Sequence, residues 1–295
     1  MNLKRYYNFF RIYRRLVEKN MGLFFFLKRH NLKNIKALNI EKYKKSDTIF
    51  ILGSGDSINE ITENQWSEIK QQDTVGLNNW ILHEFVPTFF FFESTAKSDL
   101  AQIEMNETIF KNLKARLKAY TDTPFIVHYL KRYFFDHRIL KPLIDLGLIY
   151  MQAPVSLPIK NKKDITEMYD ISIKMGFFNR INQSVYKRGS IAKIIHFCVA
   201  AGYKKIILLG VDLNQSPYFF NNENFKLPLG CQAPDYTKKN TNTVHLTINK
   251  EKHPVTMIDI IEVLHKEIGR LDVELFNGSS SSSLQTNKIL PYYWK

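Results

Sequence analysis

The chain has few cysteines and no long apolar run at its N-terminus, and both shortages exclude classes of protein. Its 295 residues include only Cys198 and Cys231, which rules out a disulfide framework and a four-cysteine zinc site and favours a reducing cytoplasm. The apolar run at 21–27, MGLFFFL, has seven residues, whereas a helix needs roughly 20 to span a bilayer. No small-residue cleavage pattern follows that run, so a removed signal peptide is not expected.

The sequence also lacks the motifs that hold metals and common nucleotide cofactors. It contains no HExxH and no Asp-x-Asp, so we expect neither a metal nor another cofactor. The glycine turn at 53–55 lacks the third glycine of a dinucleotide fingerprint and the Gly-Lys-Ser/Thr of a Walker loop. Phosphate binding of the NAD or ATP type is therefore not predicted.

Acidic residues are the third shortage, and it is concentrated at the N-terminus. Lysine and arginine number 42 against 28 aspartates and glutamates, a net charge of +14. Residues 1–45 hold 13 basic and 2 acidic side chains, or +11, which leaves +3 for residues 46–295. Hydrophobic residues at 44% and charged residues at 24% are close to globular averages, so the chain is expected to fold. The charge asymmetry predicts a polybasic segment that meets an anionic surface.

A basic amphipathic helix is predicted within that segment. Over 4–19, at about 100° per residue, one face carries Tyr6, Phe9, Phe10, Tyr13, Leu16 and Val17, and the opposite face carries Lys4, Arg11, Arg14 and Arg15. We predict peripheral attachment to the cytoplasmic face of the inner membrane. The alternative is a helix that packs on its own domain and leaves its basic face solvated. Nucleic acid is not an expected partner, because no reader motif accompanies the charge.

From residue 48 onward, short apolar runs alternate with longer helical stretches, which predicts an α/β fold. Seven strands are predicted, at 48–52, 74–77, 88–92, 124–128, 146–151, 205–209 and 272–276. Most are apolar throughout, as in a Rossmann-like parallel sheet with helices on both faces. We predict one such domain over 46–295, after the membrane-associating segment 1–45. The polar stretch at about 214–253 follows a strand and predicts a lid at the carboxyl edge of the sheet.

The turn Gly53-Ser54-Gly55 is a candidate phosphate site between a strand and a probable helix. Glycine permits a tight turn there and lets backbone N–H groups approach a phosphate. A plain strand-to-helix turn is the alternative.

The stretch Lys187-Arg188-Gly189-Ser190 is a second candidate anion site. Two cations, a glycine and a hydroxyl precede the helical stretch 191–201, where a helix N-terminus favours negative charge. A simple Ser190 N-cap beside solvated cations is the alternative, and the two interpretations are compatible.

Two histidines in the lid stretch are candidates for proton transfer. His245 and His253 are flanked by polar residues, which suits an imidazole that titrates near neutral pH. A surface imidazole without a task is equally common. Their separation of eight residues is not metal-ligand spacing on one helix face.

Polar residues follow the last predicted strand. Asn277 and Gly278 are followed by five serines, of which Ser279 is the first. Their hydroxyls and amides could bind phosphate or ribose at a strand's carboxyl end. A flexible polar loop is the alternative.

Several stretches together resemble one family. FILGSGDSINEI, LNNW and RGSIAKIIHFCVAAGYKKIILLGVDL, with His253 before a helix and VELFNGSSS, resemble the bacterial sialyltransferases of glycosyltransferase family 42, which use CMP-sialic acid. The resemblance covers residues 47–285. It implies a GT-A-variant domain with a lid that transfers a nonulosonic acid from CMP, with inversion and without a metal. The implied acceptor is a cell-surface glycan or glycolipid such as lipooligosaccharide or capsule.

The resemblance also implies roles for single residues. Gly53, Ser54 and Gly55 match the family's Gly-Asn-Gly turn, Asn78 matches the asparagine of the next strand end, and Ser190 matches the serine of an Arg-x-x-Ser, with Arg188 or Lys187 displaced from its arginine. Tyr218 matches one of two lid tyrosines that contact the donor phosphate, and Asn214 stands at the other position. The catalytic base matches His253, with His245 in reserve.

Glu93 departs from the family pattern, which has asparagine there. A carboxylate beside an anionic donor would be repulsive, so Glu93 either binds a hydroxyl or amine of a different sugar or works while protonated. CMP-linked sialic acid, Kdo and other acidic sugars all stay open. The alternative function is a nucleotide-binding protein of the same core that is not a glycosyltransferase, pyrophosphokinase-like or regulatory. Formation of a homo-oligomer also stays open.

Overall fold

The structure, a computed structural model, describes residues 3–93, 100–128, 137–214, 216–234 and 253–294. Its strands are β1 Lys33–Asn34, β2 Thr48–Leu52, β3 Asp73–Leu77, β4 Phe89–Phe92, β5 Phe125–His128, β6 Ile149–Gln152, β7 Val155–Ser156, β8 Val185–Tyr186, β9 Lys205–Leu209 and β10 Glu274–Asn277. Its α-helices are α1 Leu3–His30, α2 Glu63–Gln71, α3 Leu100–Arg116, α4 His137–Asp145, α5 Lys162–Lys174, α6 Ser190–Ala200, α7 Met257–Gly269 and α8 Ser283–Thr286.

Eight strands form one parallel sheet, which confirms the predicted α/β fold. Their order is β1-β6-β5-β4-β3-β2-β9-β10, and every neighbouring pair runs parallel. β7 and β8 pair separately. All seven predicted strands lie in the large sheet. β1 was not predicted, because two residues carry no apolar pattern.

Strand β4 shows why the central strands are apolar throughout. Its four phenylalanines are all buried, and successive side chains point to opposite faces of the sheet. Phe89 and Phe91 join one core, and Phe90 and Phe92 join the other. A strand covered by helices on both faces cannot alternate between apolar and polar residues.

Helices cover both faces of the sheet, as predicted. One face packs against α2, α3 and α4 through Ile69, Ile109, Leu113 and Leu143. The other packs against α5, α6 and α7 through Ile165, Met168, Ile194, Phe197, Ile260 and Leu264.

Two predicted strands begin two or three residues later in the structure than in the sequence pattern. β6 begins at Ile149 rather than 146, and β10 begins at Glu274 rather than 272. Gly147 has φ 69° and Asp272 has φ 56°, so both residues adopt the left-handed conformation of a turn. Apolar content alone extended the predictions across these turns.

The N-terminal helix is longer than predicted and is part of the core. α1 runs from Leu3 to His30 rather than over 4–19. Ile12 and Leu16 are buried in the core that contains α5 to α7, and Leu23 is buried in the other. The predicted apolar face is therefore divided, because Leu16 faces the protein while Tyr6, Phe10, Tyr13 and Val17 remain exposed.

Polar contacts also hold α1 on the domain. Arg5 pairs with Asp170 of α5, and Asn8 Nδ2 donates to Glu167 Oε1 over 3.3 Å. Residue 45 is therefore not a break in the packing, and the helix has a defined orientation on the domain. None of the helices in the described chain is both long and apolar enough to cross a membrane.

The predicted lid at 214–253 is described only in part. Within it, Phe219 and Phe220 are buried in the core that contains α2 to α4. Gln232 N–H donates to Asn112 Oδ1 over 2.8 Å, which ties the middle of this segment to α3. The stretch 235–252, which includes His245, lies outside the described residues.

Candidate active site

The predicted site residues that follow strands β2, β3 and β4 lie at the carboxyl edge of the parallel sheet. Chain order reverses about β2, which has β3 on one side and β9 on the other. Open α/β sheets bind ligands in the crevice at such a point. Residues at the ends of β2, β3, β4, β5 and β9 are therefore brought to one edge although they are far apart in sequence.

The turn Gly53-Ser54-Gly55 joins the ends of β2 and β9. Gly53 N–H donates to Leu209 O over 2.7 Å, and Gly55 N–H donates to Gly210 O over 2.8 Å. A Cβ on either glycine would overlap the β9 end, with Gly210 O in the first case and the Asp212 carboxylate in the second. These amides therefore bind the protein itself, which corrects the expectation that they meet a phosphate.

Asn277 and Ser279 are structural residues, which corrects their prediction as ligand-binding groups. Both are buried, and Asn277 Nδ2 donates to Ser279 O over 2.7 Å. Ser279 Oγ accepts Gly210 N–H over 3.1 Å. Buried polar groups need such partners, and here the partners join the ends of β9 and β10.

Tyr218, predicted as a donor-contacting tyrosine, lies against the glycine turn. It forms an antiparallel bridge with Gly55, and Phe219 N–H donates to Ser54 O over 3.1 Å. The Tyr218 ring stacks on Phe220 at 5.2 Å. Burial raises the pKa of the Tyr218 hydroxyl, so that hydroxyl remains a hydrogen-bond donor at neutral pH.

Asn78 positions the backbone of Glu93. Asn78 follows β3 and adopts φ 45°, a left-handed conformation that asparagine tolerates better than most residues. Its side-chain oxygen accepts Glu93 N–H over 2.9 Å. Asn78 and Glu93 are thus adjacent at the ends of neighbouring strands.

Glu93 stands at the centre of a buried polar cluster. The Ser190 hydroxyl donates to Glu93 Oε2, and Lys193 Nζ lies 2.5 Å from Oε1. His128 Nδ1 is 3.9 Å from Oε2. The Lys193 side chain is only 1% exposed and lies 4.3 Å from the centre of the Tyr186 ring. Glu93 therefore faces a fully buried ammonium group.

The charges of this cluster decide between the two interpretations of Glu93. Burial would raise the pKa of Glu93, but the Lys193 ammonium and His128 outweigh it and hold that pKa well below its usual range. Burial lowers the pKa of Lys193, against the attraction of Glu93, and also lowers the pKa of His128. The lowered pKa favours ionised Glu93 at neutral pH over the alternative in which it works while protonated.

Sequence reasoning missed Lys193 and His128. Lys193 lies three residues after Ser190, hence on the same face of α6, and it is the only lysine or arginine in SIAKIIHFCVA. A lone charge in an apolar helix needs a buried partner, and this was the available signal. The signal did not name the partner, which lies 100 residues away in the sequence.

Ser190 is the first residue of α6 rather than its cap. Gly189 occupies the cap position, and the Ser190 hydroxyl bonds to Glu93 instead of to the helix backbone. The alternative of a simple Ser190 N-cap is therefore wrong.

Arg188 joins the two segments that carry Ser190 and His253. Its Nε donates to Val255 O over 3.0 Å, and Val255 is two residues after His253. His253 is half-buried. Burial, together with the positive charges of Arg188 and Arg15, lowers the pKa of Lys187. Two cations, the start of α6 and the segment of His253 therefore lie together at this edge of the sheet.

The donor set of the described residues does not indicate a metal. No group of three or more His, Cys, Asp or Glu side chains within the described ranges is placed to hold one.

Comparisons with known proteins found similarity among solved structures. A scan against protein-family models and a search of curated proteins each found no match. Among solved structures, the α-2,3-sialyltransferase Cst-I of Campylobacter jejuni has 14% identity and a TM-score of 0.43, with 84% of this chain and 82% of that chain covered. A Tyr-to-Phe variant of the sialyltransferase Cst-II in complex with CMP has 15% identity and a TM-score of 0.46, covering 83% and 85%.

A third solved structure, the sialyltransferase CstII of Campylobacter jejuni in complex with CMP-3FNeuAc, has 12% identity and a TM-score of 0.43, covering 83% and 86%. Identities and TM-scores in this range do not carry a residue's role or an activity from one protein to another. The chain is similar in structure to bacterial sialyltransferases.

Proposed function

We propose that the protein is a metal-independent, inverting glycosyltransferase that moves a sialic acid-like sugar from CMP to a glycan acceptor. The main support is the hydrogen bond from Arg188 Nε to Val255 O, which brings the candidate base His253 to the cations before α6. A glycosyl transfer from a nucleotide needs one group that accepts a proton and others that stabilise the leaving phosphate. The two requirements meet at this edge of the sheet.

The leaving group of such a reaction is the phosphate of CMP. Arg188, Lys187 and the backbone N–H groups at the start of α6 would stabilise its negative charge. The Tyr218 hydroxyl would contribute from the opposite side, across the glycine turn that it bridges. The Ser190 hydroxyl already donates to Glu93, so the backbone N–H of Ser190 rather than its side chain is available to the phosphate.

The acceptor hydroxyl is the nucleophile. Its oxygen forms a bond to the anomeric carbon while the bond from that carbon to the phosphate oxygen breaks, and the electron pair leaves with CMP. Neutral His253 takes the hydroxyl proton. Closure of the lid at 214–253 would exclude water that would otherwise hydrolyse the donor.

Attachment to a membrane belongs to the same proposal, because lipid-linked acceptors lie at the cytoplasmic face of the inner membrane. The exposed α1 stripe consists of apolar residues spaced three or four apart, each 41–65% exposed: Tyr6, Phe10, Tyr13, Val17, Met21 and Phe24. Exposed Arg14, Lys28 and Arg29 lie on the same helix. An apolar stripe beside cations fits an interface of anionic lipids.

The exposed α1 stripe gives the cleanest test of membrane attachment. Deletion of residues 1–45 would open the core that Ile12 and Leu16 help to fill, so substitutions at the surface are preferable. We expect Phe10→Ser with Phe24→Ser to weaken binding to phosphatidylethanolamine–phosphatidylglycerol vesicles by at least about tenfold, since two rings no longer leave water. Flotation measures the bound fraction.

The matched control is Leu146→Ser with Leu229→Ser, which removes two exposed apolar side chains away from α1. This control should float like the wild type. Equal flotation of the α1 variant and the wild type would disprove attachment through the stripe.

A thermal-shift panel of CMP, CDP, UDP, ADP and GDP tests the nucleotide. We expect the cytidine nucleotides to raise the melting temperature by about 5 °C or more at roughly 100 times their Kd, because a ligand that binds only the native state stabilises it. Stabilisation by adenine or guanine nucleotides alone would favour the alternative, a nucleotide-binding protein of the same core that is not a glycosyltransferase.

A further inference from the structure

Near Glu93 lie two further buried polar side chains, His128 and Gln152, most of whose polar atoms have no hydrogen-bond partner among the described residues. His128 ends β5 and Gln152 ends β6, and both side chains are buried. Within the described residues, no contact of either His128 ring nitrogen or of Gln152 Oε1 meets the usual hydrogen-bond geometry, although Glu93 and Gln152 lie close enough to raise the pKa of His128 against the burial that lowers it. Gln152 Nε2 is satisfied, since it donates to Ile181 O over 2.7 Å.

Unpaired buried groups of this kind indicate that another molecule completes the cluster. Each such group costs about 1–3 kcal/mol when it is left without a partner. The 3.9 Å between His128 Nδ1 and Glu93 Oε2 is too long for a direct hydrogen bond, and a polar contact of more than 3.5 Å can be mediated by a bridging oxygen. Glu93, whose side chain is 20% exposed, is the member of the cluster that a ligand can reach.

The chemistry of the missing partner follows from the donors and acceptors present. Glu93 is ionised and only accepts, Gln152 Oε1 only accepts, and a neutral His128 has one donor and one acceptor nitrogen. Lys193 is buried and already bonded to Glu93, so the group that a ligand meets is the Glu93 carboxylate, and a ligand that binds it must supply hydrogen-bond donors. Hydroxyl and amide N–H groups do this, whereas a carboxylate supplies none.

The charge balance of the cluster agrees with a neutral partner. Glu93 and Lys193 cancel each other in a buried pair, so the cluster offers no net positive charge to an acidic group. The cations available to an acidic group are Lys187 and Arg188, on the other side of Ser190 along the chain. Acid and hydroxyl groups of one sugar would thus meet different parts of the edge.

We propose that Glu93 is a specificity residue that binds hydroxyl or amide N–H groups of the transferred sugar, with Lys193 positioning its carboxylate and His128 and Gln152 joined behind it through a bridging oxygen. The inference rests on the proposed function, in which that sugar arrives on CMP. It leaves the acid group of the sugar, like the phosphate of CMP, to the cations Lys187 and Arg188 rather than to the site of Glu93.

The test compares two ligands in one pair of variants. Glu93→Met with Lys193→Met removes the buried ion pair and keeps similar side-chain volume, which proteins generally tolerate. Calorimetry with CMP should give a Kd within about twofold of the wild type. With CMP-N-acetylneuraminic acid the Kd should rise by about tenfold or more, because hydrogen bonds to a charged acceptor are lost. The control, Lys141→Gln with Asp145→Asn, removes an exposed ion pair of α4 and should change neither Kd.

Three results would overturn the inference. Tighter binding of the CMP-sugar by the Met variant would show that Glu93 repels the sugar, and an unchanged Kd would show that the pair is only structural. Absence of CMP binding by the wild type would instead refute the proposed function, and the inference with it. The variant Glu93→Gln with Lys193→Met, which keeps a neutral acceptor, should give an intermediate Kd and replaces the Met pair if that pair does not fold.

Discussion

Transfer by His253→Ala should be about 100-fold slower than by the wild type or slower still, while the Kd for CMP stays within about twofold. The reason is that the acceptor hydroxyl loses its base, whereas the groups proposed for the phosphate are untouched. Those groups lie before α6, and the bond from Arg188 to Val255 uses a backbone oxygen that the substitution leaves in place. The measurement is the transfer rate at saturating donor, with CMP binding followed separately by calorimetry.

His265→Ala is the matched control for this prediction. His265 lies on α7, twelve residues further along the chain, and is half-buried. It has no part in the proposed reaction, so the control should transfer at the wild-type rate. If His253→Ala keeps that rate while His245→Ala loses it, the assignment of the base to His253 is wrong.

Lys193→Met should lower the free energy of unfolding by about 3–5 kcal/mol at neutral pH. The substitution leaves Glu93 buried and ionised without its counter-ion, and removing one partner of a buried ion pair costs far more than removing both. The variant Glu93→Met with Lys193→Met should therefore recover most of the loss. Urea unfolding of both variants measures the difference, and equal stability of the two would contradict the interpretation of the cluster.

The pH dependence of the same variant has a definite sign. Lys193 holds the pKa of Glu93 below its usual range in the folded protein, so the wild-type pair contributes stability that is present above the unfolded pKa, near 4.5, and is lost as the pH falls further. In Lys193→Met the ammonium group no longer opposes burial, so the pKa of Glu93 should rise. The destabilisation should thus shrink as the pH falls and Glu93 becomes protonated, and a constant deficit from pH 7 to pH 4 would count against this account.

Part of the candidate site was predictable from local sequence. Ser190 was predicted because it stands at the start of a helical stretch, whereas Asn78, Glu93 and Tyr218 were predicted from the resemblance to glycosyltransferase family 42. The glycines of the 53–55 turn were recognised for a correct reason, close approach of backbone, although the backbone that approaches is the β9 end. Asn277 and Ser279 were predicted as ligand-binding groups because the sequence of a polar loop does not show whether its hydrogen-bond partners lie within the protein, as they do here.

The face of α1 shows a further limit of sequence patterns. The helix has apolar residues around more than half of its circumference, and helical periodicity alone does not tell which of them meet the domain. The structure buries Ile12, Leu16 and Leu23 and exposes the α1 stripe. Aromatic residues accordingly occur both inside the core, as in strand β4, and in the stripe on the surface.

The sequence by itself determined the parallel sheet, the helices on its two faces and the edge at which chemistry can occur, because apolar runs and turn residues act over a few neighbouring positions. Only the tertiary structure decided that Lys193 neutralises Glu93, that the glycine amides bind β9 and that Arg188 holds the segment of His253. These contacts join residues tens to hundreds of positions apart, and the energy of a buried charge depends on which partner the fold places beside it.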